Sequence, residues 1–347
     1  MNITILGGGG FLGRKIAHRL AREGTLGGRA ITSLTLFDIE TRPKPHAAFP
    51  VSVFAGDVVE LPAAVMPMGT NVVFHLAAVV SAQAEADYEL GRRVNLRGTD
   101  AVVDACRRIT SAGGEPPRVV FTSSVASFSA TQADTLSDDA KQVPGNSYGA
   151  QKAAAELILA DASRRGFMDV VSLRLPTVVV RPGRPNKAAS SFFSAIIREP
   201  LLGLGAELPV PDEFGVWICS PRRAVDWLLH AAAMDTSQMG LDRSLSPPGI
   251  STTVGGMLRA LEEVKPGAST LVRRIADPAI AAIVGTWPPA FTANRARTLG
   301  FVAHEPLVDV VRAFIEDDLE ATRQDRRLPG QNNTPASLSA SPAIILP

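Results

Sequence analysis

Four consecutive glycines, Gly7 to Gly10, follow directly on the apolar run Asn2 to Leu6 and open a segment, Phe11 to Glu23, whose apolar residues recur at helical spacing. That order predicts a strand, a tight turn and a helix. In Gly7-Gly8-Gly9-Gly10-Phe11-Leu12-Gly13 the glycines at the first, fourth and seventh positions permit the turn and let backbone approach a pyrophosphate, whose charge then meets the amides at a helix N-terminus. Gly7, Gly10, Phe11, Leu12 and Gly13 are therefore candidate dinucleotide contacts.

Further short apolar runs at 34–37, 51–54, 72–76, 119–122 and 170–175 alternate with helical patterns such as 84–109 and 147–165. Strands this apolar, separated by helices, predict an α/β fold with a doubly wound parallel sheet of Rossmann type. After Arg181 repeated prolines break the chain into shorter elements. The expected division is a dinucleotide-binding domain at 1–182, a smaller substrate-binding or capping region at 183–322, and a disordered tail at 323–347, rich in Ser, Pro, Asn and Gln.

Lys and Arg number 35 against 34 Asp and Glu. This balance gives no electrostatic reason to expect nucleic acid or an anionic membrane as a partner, and a small molecule is the default. No stretch reaches ~18 uninterrupted apolar residues, and no basic segment precedes a long apolar one near Met1, so a cytoplasmic protein is expected. The two cysteines, Cys106 and Cys219, have no second Cys or His at metal spacing, and no metal site is expected.

Asp38 ends the second run, where a carboxylate can accept from both ribose hydroxyls of an adenosine and would repel a 2′-phosphate, favouring NAD over NADP. Asp57 and Val58 after the third run, and Leu76, Ala77 and Ala78 after the fourth, fall at carboxyl ends of strands, where such a sheet binds ligands. Leu175, Pro176 and Val178, where the sixth run ends, are further candidate cofactor contacts, and Ser81 and Thr177 candidate substrate contacts. His75 reads as a packed, hydrogen-bonded histidine.

Tyr148 and Lys152 stand four apart at the start of a predicted helix, on one face. An ammonium beside a phenol favours phenolate, so the tyrosine can act as a general base, while the lysine can also hold a nicotinamide ribose. The fifth run ends in Phe121-Thr122-Ser123-Ser124, and either serine could steady the oxygen that the tyrosine deprotonates; Ser124 is preferred.

Taken together, the glycine pattern, Asp38, His75-Leu76-Ala77-Ala78, Asn95 in Val94-Asn95-Leu96-Arg97-Gly98-Thr99, the serine pair and Tyr148/Lys152 resemble the extended short-chain dehydrogenase/reductase family, which includes nucleotide-sugar epimerases and dehydratases. The resemblance covers roughly 1–182 and departs at Leu6, where a threonine is usual. It implies catalytic roles for Ser124, Tyr148 and Lys152, a water-positioning role for Asn95 beside Lys152, and a homodimer through helices 84–109 and 147–165.

The Arg-Asp-aromatic-Ile-His segment of nucleotide-sugar members is missing at 214–223. Instead the stretch from Leu175 to Phe192 gathers two arginines, Arg181 and Arg184, with Asn186, Lys187, Ser190 and Ser191, donors suited to a carboxylate and several hydroxyls, and of the two arginines Arg184 is the expected anchor. It resembles a branch that oxidises four-carbon sugar acids with NAD, which implies oxidation at the 2-hydroxyl. The alternatives are a sugar epimerase that retains its cofactor and a non-catalytic dinucleotide sensor; an activated phenol has no use in the latter.

Overall fold

The computed structural model describes residues 1–128, 135–184, 189–303 and 306–327. The apolar runs form β1 (Asn2–Leu6), β2 (Ser33–Asp38), β3 (Val51–Ala55), β4 (Thr70–His75), β5 (Arg118–Ser124) and β6 (Asp169–Leu175). They lie parallel in the order β3-β2-β1-β4-β5-β6, and the two-residue strand Ser244–Leu245 extends the sheet beyond β6. The strand order reverses between β1 and β4. The loops leaving these two strands at their carboxyl ends part there, which opens the crevice where doubly wound sheets bind ligands.

Alternation along each strand divides the core between two faces. Val73, Val119, Phe121 and Val170 pack with Val102 and Ile109 of α4 (Gly98–Ser111) and Leu159 of α5 (Ser147–Arg164). On the other face Ile3, Ile5, Leu36, Phe74 and Val120 meet Ile16 and Leu20 of α1 (Phe11–Glu23) and Leu228 of α7 (Pro221–Ala233). Burial on both faces explains why these strands read as continuous apolar runs. A third core joins Phe193 and Ile197 of α6 (Ser191–Leu201), Met257 and Leu261 of α8 (Val254–Val264), and Val311 and Phe314 of α9 (Leu307–Asp317). It sits beside a small sheet of β7 (Thr177–Val178), β8 (Gly215–Cys219) and β9 (Ile250–Thr253).

Three expectations change. The helix expected over 84–109 is divided into α2 (Ser81–Ala86), α3 (Tyr88–Arg92), a wide π-type turn at Arg93–Arg97, and α4. Asp87 leaves helical geometry and its side chain accepts from Leu90 N at 2.9 Å, capping α3. The expected boundary at 182 is crossed twice, because α7 and Ser244–Leu245 both return to the main sheet. The tail expected from 323 begins in helix: α10 (Leu319–Arg327) continues past that point, and Arg326 forks onto both carboxylate oxygens of Glu199 at 2.6 Å. Arg326 also donates to Gly183 O, and Thr322 Oγ1 accepts from Gly183 N, so α10 clasps the loop entering α6. No described helix is long and apolar enough to cross a membrane.

Arg326→Ala should lower stability by about 1–3 kcal/mol, since it removes a bidentate partner from a nearly buried carboxylate. Thermal unfolding reads this as a fall of several degrees; an unchanged midpoint would show that the clasp adds nothing.

Candidate active site

The glycine turn is built for close approach. Gly7 has φ +88°, and a Cβ there would lie 2.8 Å from Ala77 N; a Cβ on Gly13 would overlap the Gly7 carbonyl. Gly7 N and Gly8 N both donate to Phe37 O, at 2.8 and 3.0 Å, tying the turn to the end of β2. Gly10 caps α1 without any side-chain acceptor, so the first-turn amides of that helix face the crevice uncovered by protein side chains. Asp38 stands at the rim of the turn, accepting from Gly9 N at 2.9 Å and from Ile39 N at 2.7 Å. A bare backbone cradle, open amides and a carboxylate at the next strand's end fit a dinucleotide.

Asp57 instead spends its carboxylate on Val59 N (3.0 Å) and on Arg93 (2.7 Å), fastening the loop after β3 to the π-type turn. Val58 is buried under Gly98. His75 is buried, meets Thr99 Oγ1 at 3.1 Å and is pushed down to about 3 by burial and then by Lys152. Such a ring stays neutral and structural.

At the end of β5 the two serines separate. Ser123 points inward and hydrogen-bonds Glu156, whereas Ser124 Oγ accepts from Ala126 N at 3.1 Å and lowers the cost of Tyr148 ionisation. Tyr148 reaches this position because α5 begins almost on top of the chain leaving β5. Asn146 caps the helix by accepting from Gly149 N at 2.8 Å, and a Cβ on Gly149 would run into the Ala126 carbonyl. One turn on, Lys152 is 2% exposed, donates to Thr122 O at 2.7 Å, and lies 5.7 Å from the centre of the Tyr148 ring. Ser124, Tyr148 and Lys152 are thus brought together.

Their electrostatics depart from the sequence expectation. Burial drives Tyr148 above the ordinary tyrosine value, opposed by the Arg181 guanidinium and the Ser124 hydrogen bond. Arg181 is thus a cation that acts on the phenol, alongside the Lys152 amine 5.7 Å from the ring centre. Lys152 is itself brought down to about 7 by burial, with Glu156 resisting. Glu156, 2% exposed, is held by Ser123, by Gln142 at 3.1 Å and by Arg174 at 2.7 Å. Glu156 was not among the expected site residues, its spacing of four from Lys152 being the available signal; Arg181 was counted only as one of several donors in 175–192, and a charge closing the buried run 175–180 was the signal that singles it out.

Asn95 is held on both sides by protein partners. Its Oδ1 accepts from Val79 N at 2.9 Å and its Nδ2 donates to Gln151 at 2.7 Å, so it braces the strand-end loop against α5 beside Lys152. Leu175, Pro176, Thr177 and Val178 are buried where β6 gives way to β7, and Ser81 is buried at the start of α2. Ser190 is buried and accepts from Arg181 Nη2 at 3.4 Å; Ser191 opens α6, and Arg184 is exposed. Asn186 and Lys187 lie outside the described residues.

Glu156→Gln should shift the Lys152 titration midpoint below about 7, because it removes the negative charge that favours the ammonium. It should also cost about 3 kcal/mol by leaving the buried Arg174 uncompensated. NMR titration of the lysine side chain checks the first; a midpoint that stays or rises contradicts the arrangement.

The model of the NAD dependent epimerase/dehydratase family matches residues 3–217. A D-erythronate dehydrogenase of Cupriavidus necator is 45% identical over 325 residues, covering 91% of this chain and 98% of the relative. Another of that name, from Haemophilus influenzae, is 36% identical and is covered completely. A solved structure described as the nucleoside-diphosphate-sugar epimerase from Agrobacterium tumefaciens superposes with a TM-score of 0.86 at 44% identity, over 92% of this chain and 95% of that one. With the strand order, the glycine cradle and the clustered Ser124, Tyr148 and Lys152 already in place, these matches assign the chain to the NAD dependent epimerase/dehydratase family.

Proposed function

We propose that the protein oxidises the 2-hydroxyl of D-erythronate to the 2-keto acid with NAD. The observation that carries this reading is the gathering of Ser124, Tyr148 and Lys152 at the strand ends of the sheet, in a chain whose two near-full-length relatives are named D-erythronate dehydrogenases. The dinucleotide would be held by the Gly7–Gly13 turn, the first amides of α1 and the Asp38 carboxylate, with Lys152 at its nicotinamide ribose. NAD, when bound, supplies the hydride acceptor and a positively charged ring.

The chain's own part is to manage a proton. Tyr148, as phenolate, takes the proton of the substrate hydroxyl as the carbon loses hydride, and releases it to solvent before the next turnover. Ser124 orients that oxygen. Lys152, anchored on Thr122 O, keeps a protonatable amine one helical turn from the phenol, and Arg181 offsets part of the desolvation that resists phenolate. Since burial raises the Tyr148 pKa, oxidation is expected to increase from neutral toward alkaline pH.

A nucleotide-sugar epimerase is the second reading, favoured by the description of the Agrobacterium structure. Both readings use the same tyrosine, but an epimerase regenerates its cofactor and accumulates no NADH. A homodimer would pair α4 and α5, where Leu157 stands 71% exposed.

The test is a panel of C3 to C6 aldonic acids with NAD, followed by NADH absorbance. D-Erythronate should be among the best substrates, and Tyr148→Phe should lose ~10²-fold or more in kcat with NAD affinity nearly unchanged. Conversion of a nucleotide sugar without NADH, or a Tyr148→Phe enzyme that keeps most of its kcat, would defeat the reading.

A further inference from the structure

The buried arginines of this molecule have carboxylate partners. Arg174, Arg198 and Arg243 are each 9% exposed or less, and they pair with Glu156, Glu199 and Asp169 respectively. Arg181 is the exception. It follows the buried run Val178–Val180, is only partly exposed and is heavily desolvated, yet among the described residues no carboxylate pairs with it. Its electrostatic neighbours are the Tyr148 phenol, the Cys219 thiol and another cation, Arg198.

Nor is the side chain loose. Arg181 Nε donates to Val178 O at 3.1 Å and Nη2 to Ser190 Oγ at 3.4 Å, while its backbone N donates to Ser194 Oγ at 3.0 Å and its carbonyl accepts from Arg198 Nη1 at 2.8 Å. A guanidinium fixed in this way and desolvated has, among the described residues, no carboxylate to satisfy it. Leaving such a charge unpaired is expensive, and an anionic ligand is the remaining source of compensation.

We infer that Arg181 anchors the carboxylate of the substrate. This rests on the reading of the site as a 2-hydroxy-acid dehydrogenase and names what selects its substrate class. In a 2-hydroxy acid the carboxylate carbon is bonded directly to the carbon that reacts, so its anchor must stand immediately beside the group that takes the hydroxyl proton. Arg181, held on Val178 O and Ser190 and acting electrostatically on the Tyr148 phenol, is placed to meet that requirement, and a guanidinium presents the planar fork that a carboxylate matches. Arg184, the anchor expected from the sequence, is exposed. Neutral polyols and amides leave the cation unpaired and should be rejected for that reason.

The experiment compares wild type, Arg181→Met and Arg184→Met on D-erythronate and on neutral D-erythronamide, with NADH affinity and melting temperature measured on each. Calorimetric titration of the protein–NADH complex with D-erythronate reads carboxylate binding without turnover. Arg181→Met should lower kcat/KM on the acid by about a hundredfold or more, change the amide little, and move the rise of activity with pH to more alkaline values, with NADH affinity retained. An unchanged preference for acid over amide overturns the inference. So does a loss of NADH affinity in step with the loss of activity, which would assign Arg181 to the dinucleotide, or loss of acid preference in Arg184→Met instead. If wild type fails to oxidise the acid but binds it in an Arg181-dependent way, the anion site stands and the assigned reaction falls; if wild type binds no acid, the site falls too.

Discussion

The approach of α5 to the chain leaving β5 is the contact on which the site depends. Gly149 has no room for a side chain against the Ala126 carbonyl, and that closeness carries Tyr148 to Ser124 and sets Lys152 over Thr122 O. The strand supplies the serine and a carbonyl, the helix supplies the phenol and the amine, and neither element holds a complete set. Parallel pairing of β5 with β4 and β6 fixes the strand end, and the core between the sheet and α5 fixes the helix. Sheet packing is thereby converted into a proton-transfer geometry.

Electrostatics then distinguish the two sides of the phenol. On the protein side, Lys152 has Thr122 O and the field of Glu156, a carboxylate itself tied to Ser123, Gln142 and Arg174. Toward the region between β6 and α6 stands Arg181, without a carboxylate partner among the described residues. A cation beside a desolvated tyrosine lowers the cost of its phenolate, and the same cation attracts an anionic substrate. The clasp of α10 reaches Gly183, two residues after Arg181, and Glu199 of α6.

Local chemistry made much of this legible in the sequence. Strands buried on both faces announce themselves as apolar runs, the Gly7–Gly13 turn has few other uses between strand and helix, and a tyrosine and lysine four apart must share a helix face. Features decided by tertiary packing were hidden. The break at Asp87 and the π-type turn at Asn95 leave helical periodicity almost intact, so they read as one helix. Ser244–Leu245 is too short to signal a strand, and its place beside β6 comes from the return of the chain. Arg181 and Arg184 look alike in a basic segment; only the packing of α6, with Ser190 and Ser194 at hand, makes one of them a fixed, desolvated cation and leaves the other in solvent. Ser123 and Ser124 are likewise equivalent until Glu156 is seen to claim the first.

The central claim is that hydride leaves the carbon next to the carboxylate while Tyr148 takes the proton, with net conversion of the acid. D-Erythronate carrying deuterium at C2, incubated with wild-type protein and NAD, tests it most directly by mass spectrometry of both products. The account predicts deuterated NADH formed in equal amount with an unlabelled 2-keto acid. Deuterium retained in the acid without net NADH, or NADH formed without the label, would contradict it.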